Sequence, residues 1–127
     1  MTATGSTPPD LPRAGRLALI LARDGAECVW CRRELALGHR DLTLEHVIPR
    51  LKGGPAWLEN EVAACRPCNR ARRHTAPLAW LDDCETRGLR PNRTAIEASL
   101  HRLKAAIEAR GGQRKARPYL DAQLRRL

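Results

Sequence analysis

The chain reads CVWC at residues 28–31 and CRPC at residues 65–68, two C-x-x-C pairs with 33 residues between them. Each pair lets two thiolates converge from one tight turn, and two such turns complete a tetrahedral set around a zinc ion at about 2.3 Å per bond. The spacing predicts a structural Zn²⁺ held by Cys28, Cys31, Cys65 and Cys68, with no coordination position left for chemistry. Disulfides and a redox pair compete with this reading. An intracellular chain disfavours the first, and the second would need a βαβ pattern that the sequence lacks. Cys84 stands outside the pairs and reads as a small buried hydrophobe.

A zinc clip suits what the rest of the chain offers. Its 127 residues are enough for one domain. Three Trp, one Tyr and no Phe give little material for an aromatic core or a base-stacking platform. Metal-binding energy of about 10 kcal/mol or more can then become folding energy. The knuckles also tie the segment before Glu45 to the segment after Asn60, so residues 32–64 become a closed loop ending beside Asn69.

The formal charge is +9, and residues 86–127 carry eleven Lys or Arg against three acidic residues, +8 of that total. Such a cluster favours a polyanion such as nucleic acid through counterion release, or else forms a solvated basic surface. No apolar run approaches the roughly 20 residues of a membrane-spanning helix, and the first residues lack the apolar segment of a signal peptide. The expectation is a soluble, cytoplasmic chain without a membrane partner.

Three segments follow from pattern. Residues 1–12 are expected to be a disordered leader. Residues 13–85 hold the knuckles, entered by an amphipathic helix over residues 11–24 that carries Leu17, Ile20 and Leu21 and stops at Gly25. Within them, LTLEHVI (residues 42–48) reads as a strand entering a loop. The run after Cys68 reads as helix broken at Ala76-Pro77, with a second helix over residues 77–87. Residues 86–127 read as a basic helical extension whose long helix starts at a Thr94–Glu97 capping box, aligns Ile96, Leu100, Leu103 and Ile107, and stops at Gly111-Gly112.

Taken together, CVWC, then LTLEHVIPRLKGG (residues 42–54), then LENEVAACRPCNRARR (residues 58–73) resemble the HNH nuclease family in its zinc-bracketed form. The resemblance implies an α+β fold: a small ββα-metal core, two antiparallel strands and a helix around one divalent cation, with a structural Cys₄ zinc and flanking α-helices. It implies an endonuclease that hydrolyses DNA phosphodiester bonds, most directly in double-stranded DNA. His46 becomes the general base and Asn60 the residue that fixes the loop and orients it. Glu45 and Asn69 become ligands of a catalytic Mg²⁺ or Mn²⁺, with His74 the alternative to Asn69. Arg70, Arg72 and Arg73 become candidates for phosphate contacts, against a plain solvated basic face.

Each implied role has a physical counterpart. Imidazole accepts a proton near neutral pH, and oxygen donors suit a hard cation whose remaining positions take water and phosphate. Many relatives carry Asp where this chain has Glu45, so the carboxylate sits one methylene farther out. Successive residues of a regular strand face opposite ways, so convergence of Glu45 and His46 on one centre predicts a distorted backbone there. Gly53 and Gly54 supply the positive φ or close approach that a tight loop needs. Trp30, Trp57 and Trp80 read as packing residues, and His39 and His101 as surface ones. The competing function is a zinc-ribbon nucleic-acid-binding module without catalysis, for which the cysteines and the basic tail suffice. A weaker third reading is a protein-interaction domain whose basic tail meets an acidic partner.

Overall fold

The computed structural model describes residues 11–127; residues 1–10 of the expected leader lie outside that range. Along the chain run α1 (Arg13–Asp24), β1 (Leu42–His46), short 3₁₀ turns at Arg50–Lys52 and Leu58–Asn60, β2 (Glu61–Cys65), α2 (Arg66–Arg72), α3 (Pro77–Thr86), α4 (Arg93–Arg110) and α5 (Ala116–Arg125). The order β1-β2-α2 is the expected ββα unit.

The two strands pair antiparallel from Leu42 opposite Cys65 to His46 opposite Glu61. A two-stranded ribbon is marginal alone, and here each face is covered. Asn69 and Arg72 of α2 reach Thr43 and Glu45 on one face, while Arg16 of α1 reaches Glu61 on the other. All five residues of β2 are therefore buried. That double cover explains why EVAAC shows no apolar–polar alternation.

Helix α1 buries Leu17, Ile20 and Leu21, each worth about 1.5–3 kcal/mol when removed from water. It ends where Gly25, at φ 102°, returns its N–H to the Leu21 carbonyl at 2.8 Å. The break at Ala76-Pro77 is real: α2 stops at Arg72 and α3 starts with Pro77 in its first turn, where the missing N–H is not needed. Helix α4 differs from expectation at its start. Asn92 is the cap, its Oδ1 accepting from the Ala95 N–H at 3.1 Å, and Thr94 lies inside the helix, exposed. Asn caps at least as well as Thr, and it stands first in the chain.

Ile96, Leu100, Leu103 and Ile107 are buried as the stripe required, and with Leu120 of α5 they join the same core as Trp30, Val62 and Leu81. Helices α4 and α5 thus pack into the core. Ser99 Oγ donates to the Glu59 carbonyl at 2.7 Å and Arg110 pairs with the Glu59 carboxylate at 2.8 Å, seating α4 on the turn before β2. Trp30 and Trp80 meet edge to face at 6.4 Å, and Cys84 is buried as a hydrophobe. No helix among the described residues is long and apolar enough to cross a membrane.

Candidate active site and zinc centre

The first knuckle is a small hairpin. Glu27 bridges Glu34, the Cys28 N–H meets the Arg33 carbonyl at 2.9 Å, and Arg32 turns the corner at φ 69° with its N–H on the Cys28 carbonyl. The second knuckle is the junction of β2 and α2, Cys65 ending the strand and Cys68 lying in the first helical turn. Val29 N–H to Ala63 carbonyl, 2.9 Å, ties the two together.

The four Sγ atoms lie within 4.8 Å of one another, the Cys31–Cys65 pair at 3.9 Å. A tetrahedral Zn–S₄ site has sulfur–sulfur edges of about 3.8 Å, whereas a disulfide would need about 2.05 Å. Left to themselves the thiols share their protons. Cys28 is pulled down to about 5, chiefly by a hydrogen bond from Cys68, while burial pushes Cys31 up to about 11 and the Cys28 contact pushes Cys68 higher. A divalent charge at their centre is what allows all four to ionise. The set fits zinc.

Beyond His46 the chain bends through residues 47–49, and Asn60 holds that bend. Fully buried, Asn60 accepts from the Ile48 N–H at 2.8 Å and donates to the carbonyls of Ile48 at 3.1 Å and Pro55 at 3.0 Å. Its own carbonyl takes the Val47 N–H at 2.8 Å. Room for this clamp requires Gly54, because a Cβ there would sit 1.7 Å from the Ile48 carbonyl oxygen. Gly53 contributes the left-handed φ, 89°, that closes the preceding turn.

Strand β1 stays in register through His46, which corrects the expected distortion at Glu45-His46. The pleat sends the two side chains to opposite faces. Glu45 points to α2, buried, accepting a short hydrogen bond from Trp30 Nε1 and lying 3.6 Å from Arg72 Nη1. Burial pushes its carboxyl up to about 7, against the opposing pull of Arg72 and the indole.

Arg72 itself is buried, which removes it from the candidate phosphate contacts. Its guanidinium donates to the carbonyls of His46 at 2.8 Å, Val47 at 2.6 Å and Thr75 at 3.0 Å, and stacks over Trp30 at 5.2 Å. Five donors in a rigid fork can satisfy several acceptors at once, so one side chain braces the exit of β1. Nothing in NRARRH distinguishes Arg72 from its neighbours.

His46 points to the α1 face, half-buried, 3.9 Å from Glu61 through Nε2. Burial lowers its pKa below the ordinary imidazole value; Glu61 opposes the shift, and Arg50, Arg16 and Arg72 add to it. Asn69, half-buried, donates from Nδ2 to Thr43 Oγ1 at 3.0 Å, which leaves Oδ1 as its available oxygen. It shares the α2-facing side of β1 with Glu45. His74, Arg70 and Arg73 are exposed. Arg73 adopts φ 56°, ψ −122°, the first position of a type II′ turn that favours glycine. Thr75 N–H closes that turn on the Arg72 carbonyl at 3.2 Å. His39 is half-buried, its Nδ1 accepting from the Asp41 N–H at 3.0 Å, and His101 is exposed. Trp57 is half-buried under Arg110, 4.2 Å away.

A family model described as HNH endonuclease matches residues 28–83. No curated protein and no solved structure matches the chain. The matched segment runs from the first knuckle through most of α3 and contains both cysteine pairs, the β1-β2-α2 unit and the Asn60 clamp. Over residues 28–83, from its knuckles to α3, this chain is therefore similar to the HNH endonuclease family.

Proposed function

We propose that the HNH segment hydrolyses phosphodiester bonds in double-stranded DNA, with His46 as the general base that takes a proton from the attacking water. The observation that carries this reading is the rigid frame behind His46. Arg72 grips its carbonyl and that of Val47, and Asn60 clamps Ile48. A zinc module that only binds has no use for a half-buried histidine braced in this way, whereas proton abstraction needs a fixed geometry. A pKa below the ordinary imidazole range keeps the ring unprotonated at neutral pH.

Glu45 and Asn69 are the oxygen donors for a divalent cation. Asn69 Oδ1 fits that role directly. Glu45 fits by chemistry, and ligation through it means exchanging its contact with Arg72. Bound there, Mg²⁺ or Mn²⁺ would supply charge stabilisation to the phosphoryl oxygens and the departing 3′ oxygen. Exposed Arg70 and Arg73 and the basic faces of α4 and α5 then meet phosphates, which position the duplex without reading sequence.

One observation favours the non-catalytic module. Both Glu45 oxygens already face Trp30 and Arg72, as a purely structural carboxylate would. Zinc-loaded protein incubated with supercoiled plasmid, with and without Mg²⁺ or Mn²⁺, separates the two. Nicking that requires the added ion supports the nuclease; salt-sensitive DNA binding with no nicking under any divalent ion assigns the module.

A further inference from the structure

Resting on the nuclease reading above, we propose that Glu61, gripped by Arg16, is a positioning residue for His46. The working parts of the site then extend to α1, which precedes the HNH segment. Glu61 opens β2 between Asn60 and Val62 and is wholly buried. Arg16 holds it as a fork, Nε to Oε1 at 3.1 Å and Nη2 to Oε2 at 3.0 Å. A buried ion pair is a poor stabiliser compared with a well-packed apolar pair, and the rest of β2 is Val62, Ala63, Ala64 and Cys65. An apolar residue would fill the position more cheaply, so the charge calls for another role.

That role lies across the ladder. Glu61 is the direct partner of His46, so the two side chains share a face. His46 Nε2 is buried without a hydrogen-bond partner, and the nearest carboxylate oxygen is Glu61 Oε2, 3.9 Å away. A carboxylate offers about four acceptor sites, and Arg16 uses two. A spacing of 3.9 Å exceeds a hydrogen bond, but catalytic contacts commonly tighten when substrate binds. Nε2–H directed at Glu61 fixes the tautomer and leaves Nδ1 as the lone pair that meets water. Arg16 sets the plane of the carboxylate from outside the HNH segment.

Two measurements test this. Long-range ¹H–¹⁵N spectra of the zinc-loaded protein, at a pH where the ring is neutral, report the His46 tautomer; Nε2–H is expected, and Nδ1–H overturns the proposal. In plasmid nicking, the near-isosteric Glu61→Gln, which removes the Arg16 fork, is expected to lower kcat about tenfold or more, a fraction of the roughly 10²–10⁴ that a general base supplies. KM should stay within about twofold. A kcat unchanged at full zinc content overturns the proposal and leaves the nuclease reading intact, whereas absence of nicking in the parent protein removes both. Should Glu61→Gln lose its zinc or its fold, the tautomer of the parent protein decides.

Discussion

Gly54→Ala is the smallest change that attacks the frame behind His46. A Cβ at residue 54 would lie 1.7 Å from the Ile48 carbonyl oxygen, 2.6 Å from its carbon and 2.8 Å from Asn60 Nδ2. The first contact is roughly 1.5 Å or more inside normal van der Waals separation. Because it is made with backbone, no side-chain rotation relieves it. Either residue 54 or the Ile48 carbonyl must move, and Ile48 takes part in two of the three Asn60 side-chain bonds. Losing those bonds and the third, to Pro55, removes about 1 kcal/mol each, and a stranded buried amide adds about 1–3 kcal/mol. The expected loss is therefore about 4–6 kcal/mol, a large share of the roughly 5–15 kcal/mol typical of a domain. Urea unfolding at saturating zinc measures the total, and amide exchange at Ile48 measures the local part. A loss below about 1 kcal/mol with Ile48 still protected would refute the close approach as the reason for glycine here.

Other perturbations separate the remaining elements. Stripping zinc with a chelator should abolish the cooperative unfolding transition, since about 10 kcal/mol of binding is spent on folding; a demetallated chain with its thermal transition intact contradicts this, as does a zinc content other than one per chain. Arg73→Gly should stabilise by about 1 kcal/mol, relief of strain at φ 56° outweighing the greater entropy of an unfolded glycine; a lower melting temperature would mean the Arg73 side chain makes interactions that offset the strain. Replacing exposed Arg114, Lys115, Arg117, Arg125 and Arg126 with Gln should flatten the salt dependence of DNA affinity by about 0.9 for each phosphate no longer neutralised. An unchanged slope would assign these charges to solubility.

What could be read in advance was whatever depends on local chemistry. The knuckles, the Gly53-Gly54 turn, the Ala76-Pro77 break and the α4 stripe each follow from residues a few positions apart, and each is found as expected. What could not be read depends on partners far along the chain. Arg16 and Glu61 are 45 residues apart and Arg72 and His46 are 26 apart, and no periodicity marks either pair. The sole hint at Glu61 was an acidic residue opening the otherwise apolar EVAAC. Likewise the apparent equivalence of Arg70, Arg72 and Arg73 dissolves only when α2 is placed on β1, which buries the second of them. The separation of Glu45 from His46 follows from an undistorted strand, which sends the two side chains to opposite faces of one ribbon.

The central claim is that His46 takes the proton of the attacking water. It is tested most directly by the single-turnover nicking rate of His46→Ala against the parent protein, at matched zinc content and saturating Mg²⁺ or Mn²⁺. Loss of a general base should slow nicking about 100-fold or more, with zinc content and unfolding cooperativity retained. Equal rates in the two proteins would contradict the account.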